Sequence, residues 1–507
     1  MSLDIAIIIV YLLAMLAFGF WGKSRTKNSS DYLVAGRRLG PVFYTGTLAA
    51  VVLGGASTVG GVGLGYKFGI SGMWLVVAIA VGVILLSLLF AGPIQKLRVY
   101  TVAQVLQLRY GVNATAASGI VMALYTLMLV VTSTIAYATV FNVLFGTPRW
   151  GSIAIGAATV IIYSVIGGMW SITLTDMVQF VLKTIGVIFL LLPAAWGKAG
   201  GYDGIIDKLG DGGINGDAHF DIMNIGGATI VTYFVVYTFG MLIGQDIWQR
   251  VFTARTPQVA KWGGTAAGVY CVVYGIAGAL IGTAASVLLP QMDVSDDVYA
   301  AVAEEVLPIG LSGLVLAAGV AAMMSTASGA LIACSTVCRT DVLPMVRRMV
   351  GRPAKPLSAG NPEHDVQANR MWVLCLGIIA TLIATAMDDV VAALTVAYDI
   401  LVGGLLVAIL GGFVWKRATG TGALASMGVG TVVTIGTMFA TDLLANEPIY
   451  FGLGASLVTY IVVSLVTKPT DPAVLAVWDG RLAGTEVAQS DNPDDVLASV
   501  EANGSAR

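Results

Sequence analysis

The sequence predicts an all-α integral membrane protein of about thirteen transmembrane helices, built as two inverted five-helix repeats with flanking helices. Three observations point there. Hydrophobic residues make up 57% of the 507 residues and charged residues 11%, where soluble domains carry about 25% charge. Apolar runs of the ~20 residues needed to cross a bilayer recur along the whole length. Two of those runs, the second and the seventh, are interrupted by glycine and polar residues five spans apart. Five is odd, so two successive five-span units take opposite topologies. Paired interruptions in inverted halves point to a secondary transporter and its binding site.

The expected spans are 3–21, 42–66, 71–93, 116–146, 150–167, 177–196, 225–247, 263–289, 309–336, 371–387, 390–415, 420–440 and 449–467. The first has neither a basic start nor a clear small-residue cleavage site, so it reads as a retained span rather than a signal peptide. The second runs into LGGASTVGGVGLGYKFG, residues 53–69. Each interior glycine costs about 1 kcal/mol against alanine, and a freed backbone group in lipid costs several. Such a segment persists where protein or a water-filled cavity covers it, and there its carbonyls can hold a cation. The other reading is close helix packing through small residues.

Asp176, a helix cap or an ion ligand, ends the loop before the sixth span, which carries Lys183. An intramembrane lysine is a functional suspect unless it snorkels to the surface. The seventh, TYFVVYTFGMLIGQDIWQ, holds Gly240 and Gly244 and ends on Gln245 and Asp246. The ninth holds Ser325, Thr326 and Ser328 in AAMMSTASGAL. Their hydroxyls suit a small hard cation, or simply bond the preceding turn. Asp399 lies about ten residues into the eleventh span, too deep to reach water easily.

Lysine and arginine set the orientation. With the N-terminus outside, 22 of the 27 basic residues fall inside, in the loops and tail holding Lys23, Arg25, Lys27, Arg37, Arg38, Lys96, Arg98, Arg109, Arg250, Arg255, Lys261, Arg339, Arg347, Arg348, Arg352, Lys355, Arg370, Lys416, Arg417, Lys468, Arg481 and Arg507. Outside fall Lys67, Arg149, Lys198 and Lys208. The expected units are residues 1–41 (first helix and cytoplasmic loop), 42–224 (first repeat and external loop), 225–415 (second repeat), 416–467 (two further helices) and 468–507 (cytoplasmic tail). Net charge is −2, so no nucleic acid partner is implied, and no protein partner is evident. The four cysteines form no CxxC pair, and His219 and His364 sit in loops. No HExxH, GxSxG or Walker motif is present, which leaves no enzyme reading.

Six stretches, DYLVAGRRLGP, GASTVGGVGLGYKFG, TVAQVLQLRYG, GGMWSITLTDMVQ, GQDIWQRVF and AAMMSTASGAL, occur in one order over residues 30–470. In these the chain resembles the sodium/solute symporter family, which includes sodium-coupled proline, glucose, sialic acid, pantothenate and choline transporters. The resemblance implies a leucine-transporter-type fold and sodium as the coupling ion. It implies one sodium held by the carbonyls of Ala56, Val59 and Ala322 and the hydroxyls of Ser325 and Thr326. Asp176 and Ser328 match a second sodium site of some members, but Gly329 stands where those members have a further serine, so one ion is expected. The aromatic gate position of some members falls on Gly240 here, so the inner gate must differ or use Phe239 beside it. The solute contacts expected are Ser57, Thr58, Gly60, Tyr237, Phe239 and Gly240. The favoured solute is a small organic acid or amino acid moved across the cell membrane, with a choline-like organocation or a proton-coupled or uncoupled carrier as alternatives.

Overall fold

The computed structural model describes residues 3–211, 216–351, 362–387, 390–442 and 445–485. Arg352, Lys355, Arg507 and the tail beyond residue 485 lie outside the described residues. The described residues form helices with no strand among them. Ten helices are long and apolar enough to cross a membrane, or eleven when the bent pair Gly227–Ile243 and Gln245–Thr253 counts as one span. This count is lower than the thirteen expected spans. The difference lies in two runs, Ala56–Lys96 and Arg149–Ala199, of 41 and 51 residues. At 1.5 Å per residue each exceeds one ~30 Å crossing. Each is interrupted at a glycine with positive φ, Gly69 at 66° and Gly168 at 57°, a conformation open to glycine at little cost.

The two broken spans are real breaks. In the first, the helix Pro41–Val52 stops at Leu53, whose backbone leaves the helical region (φ −91°, ψ 75°). It resumes as a wide turn over Ala56–Gly60 and continues as Gly61–Phe68. Gly54 is required at the break: a Cβ there would lie 2.4 Å from the Thr326 hydroxyl oxygen. The glycines further along serve packing instead. A Cβ on Gly65 would lie 2.5 Å from the Ala279 carbonyl oxygen, and one on Gly282 would lie 2.1 Å from that of Val62. Both readings of the glycine run therefore hold, each for its own half. In the second broken span Gly244 is extended (φ −61°, ψ 129°) and the helix axis bends by 42°.

The helix Leu311–Val337, which carries Ser325 and Thr326, is the centre of the bundle and is buried almost throughout. It packs on Val112–Phe145, Arg149–Lys183 and Pro41–Val52. A helix apolar on every side belongs in such a position. Gly420–Ala440 and Glu447–Val466 pack on each other at the periphery, with much of their apolar surface exposed.

Several motifs meet around Gln245–Thr253. Gln245 accepts from the Val102 amide at 2.8 Å and donates to the Tyr100 carbonyl at 3.1 Å. Gln249 donates to the Leu33 carbonyl (2.8 Å) and to Thr336 (3.1 Å). Arg37 donates to the carbonyls of Val99 and Phe252, and Leu39 pairs with Ala254. Thr101 caps the helix Val102–Tyr110 by accepting from the Gln104 amide, while Gln104 reaches back to the Tyr100 amide, a variant of the capping box. Arg109 donates to the carbonyls of Gly412, Trp415, Lys416 and Ala418, closing off the end of Val390–Val414, where a cation also meets the negative helix end. These bonds tie the segments at one end of the bundle to one another.

Candidate functional site

A helix leaves its last four carbonyls without an intrahelical partner. In Pro41–Val52 these belong to Ala49, Ala50, Val51 and Val52, and the structure accounts for all of them. Ala49 accepts from the Leu53 amide at 3.3 Å. Ser325 Oγ donates to the Ala50 carbonyl at 2.7 Å, and Thr326 Oγ1 to that of Val51 at 2.6 Å. Ser57 Oγ donates to the Val52 carbonyl at 3.4 Å. The Ala322 carbonyl also lies 2.7 Å from Ser325 Oγ, so oxygens of two helices converge on one point.

Lys183 completes this arrangement. Its Nζ donates to the carbonyls of Ala49 (3.2 Å), Ala50 (3.1 Å) and Leu53 (3.3 Å). An ammonium has three donors, and all are used. The face of the Tyr274 ring lies 5.9 Å away. Lys183 does not snorkel: its side chain is fully buried.

The Ser325 and Thr326 hydroxyls hydrogen-bond carbonyls other than those expected to share an ion with them. Ser325 and Thr326 meet Ala50 and Val51, six and more residues before Ala56 and Val59. The reason is that the first helix ends at Val52, so the free carbonyls are those before the break, while Ala56 and Val59 belong to a turn that has already resumed.

Asp176 is not a helix cap, since it lies within Arg149–Lys183, and its Oδ1 makes no hydrogen bond among the described residues. Its Oδ2 accepts from Arg250 at 3.1 Å and from the Thr47 hydroxyl. Ser328 Oγ donates to the Ser325 carbonyl at 3.1 Å. Gly329 leaves the room that Arg250 occupies, since a Cβ there would stand 3.0 Å from the guanidinium and 2.5 Å from Val51. Both partners of the Asp176–Arg250 pair are buried, and breaking such a pair costs about 3–5 kcal/mol.

Beside the break lies a cavity lined in part by Val51, Gly54, Ala56, Ser57, Thr326 and Tyr398. It is about 20 Å³, roughly one water. Of the expected solute contacts, Ser57 lines it. Thr58 turns away to the Tyr274 hydroxyl at 3.0 Å, and Gly60 packs on Val391. Tyr237 bonds Thr395 at 2.9 Å and stacks edge-on against Tyr398. Phe239 is half-buried and does not line the cavity. Gly240 is where Tyr398 fits: a Cβ would meet its ring at 2.1 Å. The aromatic ring lining the cavity here belongs to Tyr398 on the facing helix Val390–Val414.

Sequence reasoning missed Thr132, Ser133, Tyr398 and the role of Asp246, all of which line the cavity. The signals were present: a TST run in mid-span, the aspartate just past Gly244, and a tyrosine next to Asp399. Asp246 is buried, and its Oδ1 accepts from Tyr125 at 2.8 Å. The Tyr125 and Tyr398 hydroxyls lie 3.3 Å apart, and with the Tyr125 proton on Asp246 the Tyr125 oxygen is the acceptor. Asp399 is buried too, with its Oδ1 making no hydrogen bond among the described residues.

Comparison with known proteins bears on this geometry. The chain is 24% identical over 481 residues to the high-affinity proline transporter PutP of Bacillus subtilis, spanning 91% of this chain and 97% of that one. It is 24% identical to the sodium/pantothenate symporter of Haemophilus influenzae, over 84% of this chain and 88% of that one. Among solved structures, the substrate-bound, outward-open Na+-coupled sialic acid symporter superposes with a TM-score of 0.79, at 19% identity, covering 93% of this chain and 99% of that one. That likeness supports the leucine-transporter-type fold. The sequence profile described as "Sodium:solute symporter family" matches residues 32–430. The two broken helices meeting at one cavity are thus those of a multi-pass membrane carrier rather than an enzyme, and the chain belongs to the sodium:solute symporter family.

Proposed function

We propose that this protein imports a small solute bearing a cationic nitrogen, an amino acid being favoured, together with one sodium ion by alternating access. The observation that carries the ion half is the meeting of the Ser325 and Thr326 hydroxyls with the broken-helix carbonyls. The proposed sodium ligands are those two hydroxyls and the carbonyls of Ala50, Val51 and Ala322. Hydroxyl and carbonyl oxygens at the end of a half-helix suit a hard monovalent cation. Sodium coupling agrees with the family and with the named coupling ion of its relatives. A single ion is proposed because Asp176 already has a cation in Arg250.

Asp246 carries the solute half. A carboxylate at the cavity, close to Tyr125 and Tyr398, disfavours a plain organic anion and favours an ammonium beside it. The same features fit a choline-like organocation as the second reading. The proposed topology puts the N-terminus outside and the clamped end, with Arg37, Arg109 and Arg250, inside, following the distribution of basic residues. The proposed units are the two repeats 42–224 and 225–415.

The test is thermal stability of the purified protein against the common amino acids and choline, with sodium or with potassium. A ligand at 100 times its dissociation constant stabilises by about 2.7 kcal/mol, enough to raise the melting temperature measurably. One amino acid or organocation should stabilise in sodium and far less in potassium. Equal stabilisation in both salts would remove sodium from the reading, and stabilisation by simple organic anions alone would remove Asp246.

A further inference from the structure

Lys183 has no place in solute binding, yet no other lysine among the described residues is buried. Burying an ammonium in a membrane is costly, so what holds it matters. It makes no ion pair among the described residues; Asp176, two turns earlier on the same helix, is engaged by Arg250 and Thr47. Its whole solvation comes from the three carbonyls of Ala49, Ala50 and Leu53, with the Tyr274 ring alongside. These oxygens stand at the C-terminal, negative end of Pro41–Val52, where a cation is favoured.

The Ala50 carbonyl is shared. It accepts from Lys183 Nζ at 3.1 Å and from Ser325 Oγ at 2.7 Å, and Ser325 and Ala50 are proposed sodium ligands. A sodium ion on that oxygen and an ammonium on the same oxygen would be two bare cations a few ångströms apart, which repel strongly in a site of low effective dielectric. We propose that Lys183 is a tethered cation that competes with sodium for the broken-helix carbonyls. When sodium enters, the ammonium gives up Ala50 and Leu53; when sodium leaves, it takes them back. The lysine thereby keeps the carbonyl cluster neutralised through the return of the unloaded carrier, weakens sodium binding, and speeds sodium release. Lys183 is in this sense a positioning and specificity residue, not a solute contact.

This inference rests on the ion-site reading above, and the test separates the two. Lys183→Gln keeps a neutral donor near the carbonyls, and Lys183→Met removes it. In both variants the sodium concentration for half-maximal thermal stabilisation should fall about tenfold or more, a change worth ~1.4 kcal/mol. Net uptake at saturating sodium should slow, while solute exchange with sodium on both sides should be retained. In Lys183→Ala, methylammonium should compete with sodium, which it should not do in the unaltered protein. If the unaltered protein responds to sodium and the variants bind it with unchanged or lower affinity, the tether is wrong and the ion site stands. If the unaltered protein ignores sodium and the variants acquire a response, sodium coupling is wrong and the tether stands. Should the variants fail to fold, nitrogen-15 NMR of the side-chain ammonium groups in the unaltered protein decides. The signal of Lys183 should shift on adding sodium and not on adding N-methylglucamine; a signal indifferent to saturating sodium overturns the proposal.

Discussion

Replacing Thr326 with alanine is expected to raise the sodium concentration for half-maximal uptake by about tenfold to a hundredfold. Thr326 Oγ1 satisfies the Val51 carbonyl at 2.6 Å at the end of the broken helix. Its loss removes one proposed ion ligand and leaves a buried carbonyl bare, a cost of about 1–3 kcal/mol, and ~1.4 kcal/mol corresponds to tenfold in binding. Ser325→Ala should act in the same direction, because its hydroxyl touches both Ala50 and Ala322. Thr326→Ser keeps the hydroxyl and should restore most of the affinity. Sodium titrations of solute uptake, normalised to the amount of protein in the membrane, give the answer. Unchanged sodium dependence in both alanine variants removes these hydroxyls from the ion site.

Asp246→Asn is expected to weaken solute binding more than any other single change in the cavity. Asparagine still presents an oxygen to the Tyr125 hydroxyl, so the local hydrogen bond at 2.8 Å can survive. What is lost is the negative charge facing the solute nitrogen. Removing one partner of a buried charged contact costs about 2–5 kcal/mol, or roughly thirtyfold or more in affinity. The solute concentration for half-maximal uptake should rise by that factor at saturating sodium, with sodium affinity little changed. If instead solute affinity is unaltered and only thermal stability falls, Asp246 serves the start of the helix Gln245–Thr253 and the solute nitrogen lies elsewhere.

Much of this architecture was legible in the chain because membranes punish irregular backbone. Gly54 and Gly244 mark the two breaks, since few segments rich in glycine and polar residues survive at membrane depth without a purpose. Ser325 and Thr326 were legible as oxygen donors for the same reason. The register between donors and carbonyls was not. Glycines run from 54 to 69, and nothing in their spacing separates those that open the helix from Gly63 and Gly65, which admit neighbouring backbone. The partner of Asp176 was hidden as well. Arg250 is 74 residues away in sequence and reads there as an ordinary basic residue of a loop. The fit of Tyr398 against Gly240 is a tertiary fact of the same kind: the gap lies on one helix and its filling on another. Lys183 was visible as an oddity but not as a ligand of the first break, because the residues it bonds lie 130 to 134 positions earlier.

Energy sets what the carrier can do. One sodium ion moving through about 100 mV supplies about 2.3 kcal/mol, and a tenfold sodium gradient adds roughly 1.4 kcal/mol. Together these hold a neutral or zwitterionic solute at up to roughly 500-fold excess inside. The most direct measurement is uptake of the best-stabilising zwitterion into proteoliposomes, with sodium outside and an inside-negative voltage imposed by a potassium ionophore. One-sodium symport predicts uptake that requires sodium, rises with voltage, and reverses at the potential set by one sodium per solute. Uptake that proceeds equally without sodium, or that ignores the voltage, would contradict it.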